Sequence, residues 1–370
     1  MSDEKKYSSI HYGSYLGLDK ILTAQEPRSK QLGQEAHEET LFIIVHQVYE
    51  LWFKQMLHEL ESVMNLFKPK NVDEKNIDVA VSRLERVNEI LKLLIQQIRV
   101  IETMTPLDFL DFRSFLFPAS GFQSFQFRKL EVMLGLKIEK RTSYTSHHYY
   151  HEFSEVNQKE IIELESQKSL FTLIESWLER TPFIDLEGFD FKTKYQIAVE
   201  HMLNRERDAI MNSDYLSEQE KTMRLRMNGD SSTFYANVFD ENYHNQLITE
   251  GKMRLSYKAT IAALLIQLYG TEPLLQLPYR LLNVITEMDE LLTGWRYRHA
   301  QMVMRMLGRK SGTGGSSGHD YLMDTVKKHQ IFIDFHNIST LLIPRSELPE
   351  LPADIKKTLG YHFNYSNENK

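Results

Sequence analysis

The sequence has no cysteine, which excludes disulfides, iron–sulfur clusters, thiolate zinc sites and a covalently attached c-type haem. Any metal must rest on His, Asp, Glu, Met or Tyr. No run of about 18 apolar residues is available to span a bilayer, and the start, Met-Ser-Asp-Glu-Lys-Lys-Tyr, lacks the apolar core of a signal peptide. A soluble, intracellular protein, located in the cytoplasm, is the expectation. Excess positive charge is also missing: the formal net charge is -7 and the pI about 6.1, so neither nucleic acid nor membrane is expected as a partner. Strand-like alternation is scarce. No repeat, dinucleotide-binding glycine motif, P-loop or His-Glu-x-x-His motif is present.

What the chain does have is length and apolar residues. With 370 residues, 42% of them hydrophobic, it can bury a large core and fill one or two domains. Long stretches of helical periodicity dominate. Stepping by threes and fours from Leu281 gives Ile285, Met288, Leu292, Trp295, His299, Met302 and Met306, an apolar stripe whose polar member is His299. A buried imidazole needs a partner, since an unsatisfied polar group costs about 1–3 kcal/mol; a neighbouring carbonyl or a metal ion would serve. Thr40 to Phe67 repeats the arrangement, with His46 in the stripe Phe42, His46, Tyr49, Phe53, Met56 and Leu60. A third helix is expected near Asp73 to Met104, and others at Leu170 to Arg180 and Ser256 to Tyr269.

Three further stretches carry candidate chemistry. Between Phe109 and Phe127 lie seven phenylalanines, with Arg113 and Arg128 among them. A guanidinium is costly to bury unpaired and seeks a carboxylate, supplied by Asp108, by Asp111 or by a ligand. Directly after the His299 helix, residues 311–318 are Gly or Ser save for Thr313; such a run exposes backbone N–H groups and reads as a lid over an anionic ligand, with a plain linker as the alternative. His147, His148 and His151 cluster in the polar stretch 139–168, which reads as a solvated connection. Tyr195 to Phe239 reads as helix broken at Asn228 to Thr233, within a peripheral helical insertion at about 185–250.

These observations imply an all-α fold, a helical bundle with two inward-facing histidines. Two histidines on separate helices, an arginine among phenylalanines and a Gly/Ser lid suit a flat apolar cofactor, and haem fits that description. A mononuclear non-haem site would need carboxylates close to the histidines, and neither helix places one on the histidine's own stripe beyond Glu50.

Several blocks together resemble the signatures of the tryptophan 2,3-dioxygenase family: Phe42-Ile-Ile-Val-His-Gln-Val-Tyr-Glu-Leu-Trp-Phe-Lys-Gln55, Leu107-Asp-Phe-Leu-Asp-Phe-Arg113, Pro118-Ala-Ser-Gly-Phe-Gln123, Trp177-Leu-Glu-Arg-Thr-Pro182, Trp295-Arg-Tyr-Arg-His299 and Gly312-Thr-Gly-Gly-Ser-Ser-Gly318. They occur in the family's order across roughly residues 11–345, and the match is poorest at about 185–250. The resemblance implies one haem dioxygenase domain over 1–370, with the segment 1–39 contacting a neighbouring subunit. It implies a non-covalently bound haem b, one per subunit, with His299 as the iron ligand and Ser120, Gly121 and Arg128 along the haem edge. It further implies His46 as the histidine that bonds the substrate indole N–H, Phe42 as a wall of the indole pocket, Arg113 on the substrate carboxylate and Thr313 on its ammonium group. Tyr12 and Tyr15 match a segment that reaches the site of the next subunit in a homotetramer. The implied reaction inserts both atoms of O2 into the C2–C3 bond of L-tryptophan to give N-formyl-L-kynurenine, the first step of tryptophan breakdown by the kynurenine pathway. A related haem protein with other indole chemistry, a helical haem sensor and a non-haem metal hydrolase are the competing readings.

Overall fold

The computed structural model describes residues 9–70, 72–137, 153–181, 185–186, 189–310 and 318–360. Among them the chain is all-α: the one sheet is a two-stranded antiparallel pair. Short helices α1 (Tyr12–Leu16), α2 (Leu18–Ile21) and α3 (Arg28–Gln31) precede the long α4 (Glu38–Phe67) and α5 (Lys75–Ile101). Next come α6 (Pro106–Arg113), α7 (Phe125–Leu134), α8 (Glu155–Glu165) and α9 (Leu170–Leu178). Strands β1 (Asp185–Leu186) and β2 (Phe189–Asp190) lead into α10 (Phe191–Met211), α11 (Glu218–Val238) and α12 (Glu241–Thr249). Then follow α13 (Tyr257–Leu268), the 32-residue α14 (Gln276–Leu307), α15 (Gly318–Lys328), α16 (Ile333–Ile338) and α17 (Ala353–Leu359).

The scaffold is α5 laid between α4 and α14. On α5 the residues Ile77, Val81, Leu84, Val87, Leu91, Leu94 and Ile98 recur every three or four positions and are almost wholly buried, so this amphipathic stripe sets the packing face. Polar ties fix how the helices slide along one another. Asn88 Nδ2 donates to the Val284 carbonyl at 3.0 Å, Tyr49 Oη to the Leu94 carbonyl at 2.7 Å, and Arg298 meets Glu102 at 2.8 Å. The first two stand in helix-to-helix contacts that a one-turn slip would break.

The expected α14 stripe is borne out, with a change of surroundings along it. Leu281, Ile285, Met288 and Leu292 are at most 1% exposed, whereas Trp295, His299 and Met302 are half-buried. At its C-terminal half α14 leaves the solid core and walls a cavity. α4 does the same in the opposite sense: Phe53, Met56 and Leu60 are buried, and Phe42 and His46, nearer the N-terminus, are more open. Ahead of α4, both carboxylate oxygens of the buried Glu39 accept the N–H groups of Arg28 and Ser29 at 2.8 Å, tying the N-terminal segment to the start of this helix.

Two sequence expectations are corrected. The break within Tyr195 to Phe239 falls at residues 212–217, where Ser217 and Glu220 form a capping box for α11. Residues 228–233 are continuous helix: the buried Asn228 donates to the Leu203 carbonyl at 3.1 Å and to Glu206 at 2.9 Å, so pairing with α10 overrides the poor local propensity of Gly, Asp and Ser. The polar stretch 139–168 is not all solvated connection either. Ser154 caps α8 over 155–165, and Ile161 is fully buried. His147, His148 and His151 lie outside the described residues.

α7, which carries Arg128, ends at Gly135 in a left-handed conformation at φ 109°. A Cβ there would also stand 2.7 Å from Ser169 Oγ. Gly135→Ala is therefore expected to destabilise the protein by about 1–3 kcal/mol, read as a lowered urea midpoint, whereas Gly33→Ala, with positive φ but open space around it, falls at the low end of that range.

Candidate functional site

Where α4, α6, α7, α14 and α15 converge they leave a cavity of about 290 Å³. Phe42, His46, Arg113, Ser120, Gly121, Arg128 and His299 all line it. Residues from five separate stretches, predicted as one site, thus meet in one place. Thr313 and the Gly/Ser run 311–317 lie outside the described residues, but Leu307 before it and Gly318 after it both line the cavity. Tyr12 and Tyr15 are not brought to this cavity: on α1 they stand 71% and 72% exposed.

Local chemistry explains how each side chain is held. Phe42 stacks 4.1 Å from the His46 ring and packs at 5.5–5.7 Å against Phe112 and Phe109, an aromatic wall built from one turn of α4 and one of α6. His46 Nδ1 lies 2.7 Å from the Phe42 carbonyl. A carbonyl only accepts, so Nδ1 carries the proton and Nε2 is left as an acceptor. Burial lowers the His46 pKa against the opposing effects of that bond and of Glu50, which favours the neutral ring.

His299 has neither ring nitrogen bonded to any described residue, and its ring sits 5.5 Å from that of Trp295. The carbonyl partner weighed from the sequence is not found. Burial first, and the nearby His46 second, bring its pKa down to about 4, so the imidazole is neutral with a lone pair to offer. Neutral imidazole is the form that binds a metal.

Arg113 sits at the C-terminal end of α6, a helix begun by Thr105 and Pro106. Asp108 is committed to that start, accepting from Thr105 N at 2.9 Å and Thr105 Oγ1 at 2.6 Å, and Asp111 is exposed. Arg128 pairs with Glu131 at 2.8 Å, one turn on along α7. Glu131 is 1% exposed and also takes Arg296 at 3.0 Å and His329 Nδ1 at 3.3 Å. Desolvation would raise the pKa of this carboxyl, but Arg128, His329 and Arg296 outweigh it and hold it well below its usual range. The Arg128 pKa is raised in turn, desolvation being outweighed by Glu131 and Tyr321.

This buried cluster of Glu131, Arg296 and His329 lines the cavity and escaped the sequence reading. Arg296 stands one turn before His299, but the partner on α7 is 165 residues away in sequence, a distance over which no helical period gives a signal. Glu50, the one carboxylate weighed for a non-haem metal, accepts from Ser124 at 2.6 Å and Gln126 at 2.8 Å. Among the described residues no group of three His, Asp or Glu is placed to hold an ion.

The family model described as tryptophan 2,3-dioxygenase matches residues 2–342. Tryptophan 2,3-dioxygenase of Bdellovibrio bacteriovorus is 49% identical over 97% of this chain and 100% of its own. Tryptophan 2,3-dioxygenase B of Danio rerio is 46% identical over 94% of this chain and 86% of its own, and the Mus musculus enzyme 44% over 96% and 87%. A match over nearly the full length, carried by relatives from bacteria to mammals, leaves one assignment: the chain belongs to the tryptophan 2,3-dioxygenase family.

Proposed function

We propose that this chain cleaves the C2–C3 bond of the L-tryptophan indole with O2, giving N-formyl-L-kynurenine, the opening step of tryptophan breakdown. Both oxygen atoms end in the product, so no external reductant is consumed in the balance. The observation that carries the reading is the convergence of His299, His46, Phe42 and Arg113 on one apolar cavity.

The donor set fits haem b as the cofactor, one per subunit. A half-buried neutral imidazole with no bond to any described residue, at the wall of an apolar cavity, would hold the haem iron. Arg128 offers a fixed positive charge for a propionate, and Ser120 and Gly121 lie along the same lining. When bound, haem supplies the iron chemistry that activates O2.

The chain's own residues choose and orient the substrate. Arg113 pairs with the tryptophan carboxylate, and Thr313, between the cavity-lining Leu307 and Gly318 in sequence, with its ammonium group. The indole lies along Phe42. His46 Nε2, made an acceptor by the bond from Nδ1 to the Phe42 carbonyl, takes the indole N–H and so fixes which ring edge faces the reacting oxygen. Orientation of this kind matters because attack needs close approach and alignment. His46 acts here as an orienting partner; the indole N–H is too weakly acidic to require removal before attack. A homotetramer in the cytoplasm completes the reading, and the exposed Tyr12 and Tyr15 are then available to a neighbouring subunit's site. No helix among the described residues is long and apolar enough to cross a membrane.

The clamp is tested with Arg113→Ala. The kcat/KM for L-tryptophan is expected to fall about a hundredfold, the loss of a charged pair worth about 3 kcal/mol. Tryptamine, which lacks the carboxylate, is expected to be as poor a substrate for the wild type as for the variant. Unchanged discrimination between L-tryptophan and tryptamine in Arg113→Ala would remove Arg113 from the clamp.

A further inference from the structure

A second cavity, of about 270 Å³, lies between α11, α12, α13 and α16 and shares no lining residue with the first. Three of its buried lining side chains, Asp334, Thr260 and His244, offer acceptor atoms. Asp334, 3% exposed, uses Oδ2 to take the N–H groups of Arg254 and Leu255 at 2.6 and 2.7 Å, while its Oδ1 has no hydrogen-bond partner among the described residues. Thr260, 4% exposed, leaves its Oγ1 likewise without one. His244, also 4% exposed, has Nε2 at 2.8 Å from the Leu255 carbonyl; that carbonyl only accepts, so Nε2 holds the proton and Nδ1 is a third acceptor. All three side chains line the cavity, and Asp334 is the sole Asp, Glu, Lys or Arg among its lining residues.

Buried carboxylate oxygens without partners are rare because their desolvation is uncompensated. The space is far larger than the roughly 10–15 Å³ that one water needs. Much of its wall is apolar, with Phe234, Leu247, Met253 and Ile338 among the lining. A carboxylate oxygen, a hydroxyl and an imidazole nitrogen match the three N–H donors of a single ammonium group, and the apolar wall matches a hydrocarbon body attached to it.

We propose that this second cavity binds a small organic primary amine, its ammonium group on Asp334, Thr260 and His244 and its apolar body against Phe234, Leu247 and Met253. The site is separate from the tryptophan cavity and adds a ligand to the protein without requiring any change in the reaction.

Calorimetric titration with 2-phenylethylamine tests it, on full-length haem-loaded protein held under nitrogen with saturating L-tryptophan, so that the first cavity is filled and no turnover occurs. The amine is expected to bind once per chain, and the neutral 2-phenylethanol about tenfold or more weaker, as for loss of a charge-assisted bond. Asp334→Asn, whose carbonyl can keep the two backbone bonds while its amide replaces the free oxygen, is expected to weaken the amine about tenfold or more and leave L-tryptophan affinity unchanged. Thr260→Val removes a hydroxyl that bonds no described residue and so keeps the fold; a drop of about threefold is expected from loss of a neutral hydrogen bond. Equal binding of amine and alcohol, amine binding untouched by both variants, or no binding by the wild type, leaving solvent as the occupant, would each overturn the proposal. Complete displacement of the amine by potassium ions alone would assign the cavity to a metal cation and overturn it too.

Discussion

His299→Ala is expected to abolish stable haem binding and, with it, turnover of L-tryptophan. The His299 imidazole is a neutral nitrogen donor on the cavity wall, bonded to no described residue, and a bond from it to iron would give a non-covalent haem its directional hold. Reconstituting the variant with haem and recording its absorption spectrum checks this. The wild type should show a histidine-ligated Soret band, and the variant a band that is lost or shifted and that reverts toward the wild-type form when free imidazole is added. A variant spectrum identical to the wild type would remove His299 as the ligand. The fold itself should survive, because Leu281, Ile285, Met288 and Leu292 anchor α14 in the core well before residue 299.

Glu131→Ala is expected to be the most destabilising single change near the site, at about 3–5 kcal/mol, since it strands Arg128 and Arg296 as buried charges without their carboxylate. Urea unfolding at neutral pH measures it. The same carboxylate gives the wild type an acid limit. Its folded pKa is held well below the ordinary 4.5, so the stability it contributes is complete above that value and is lost as pH falls toward the folded pKa. The gap between wild type and variant should therefore be constant near neutrality and narrow as pH drops below about 4.5. A gap independent of pH throughout the acid range would mean that the Glu131 charge does not hold the cluster together. Glu131→Gln, which keeps the shape without the charge, should separate electrostatics from packing by retaining part of the stability.

How far the sequence foretold this structure depends on the range over which each interaction acts. Helical periodicity is local, so α4, α5 and α14 and the inward face of His46 and His299 were legible within windows of about 11–18 residues. The meeting of the two histidines with Arg113, Ser120 and Arg128 came from the ordered blocks shared with a known family, and the fold brings those residues onto one cavity. The cluster of Glu131, Arg296 and His329 was not legible. A glutamate one turn after an arginine on a short helix reads as a solvent-facing pair, and only tertiary packing turns it into a buried four-way contact. Residues 228–233 misled for the converse reason: local composition favours a break, and the bonds from Asn228 to α10 restore the helix. Asp334 and Thr260 gave no signal at all. Their oxygens without a partner among the described residues belong to a cavity that four separate helices line.

The most direct test of the central claim, that one cavity holds haem on His299 and tryptophan on Arg113 and His46, is an absorption time course. Purified protein is loaded with haem, reduced and mixed with L-tryptophan in air. A Soret band together with steady growth of N-formyl-L-kynurenine is the expected result. A Soret band with tryptophan left unconsumed would contradict the substrate assignment, and the lack of any Soret band after haem loading would contradict the cofactor site.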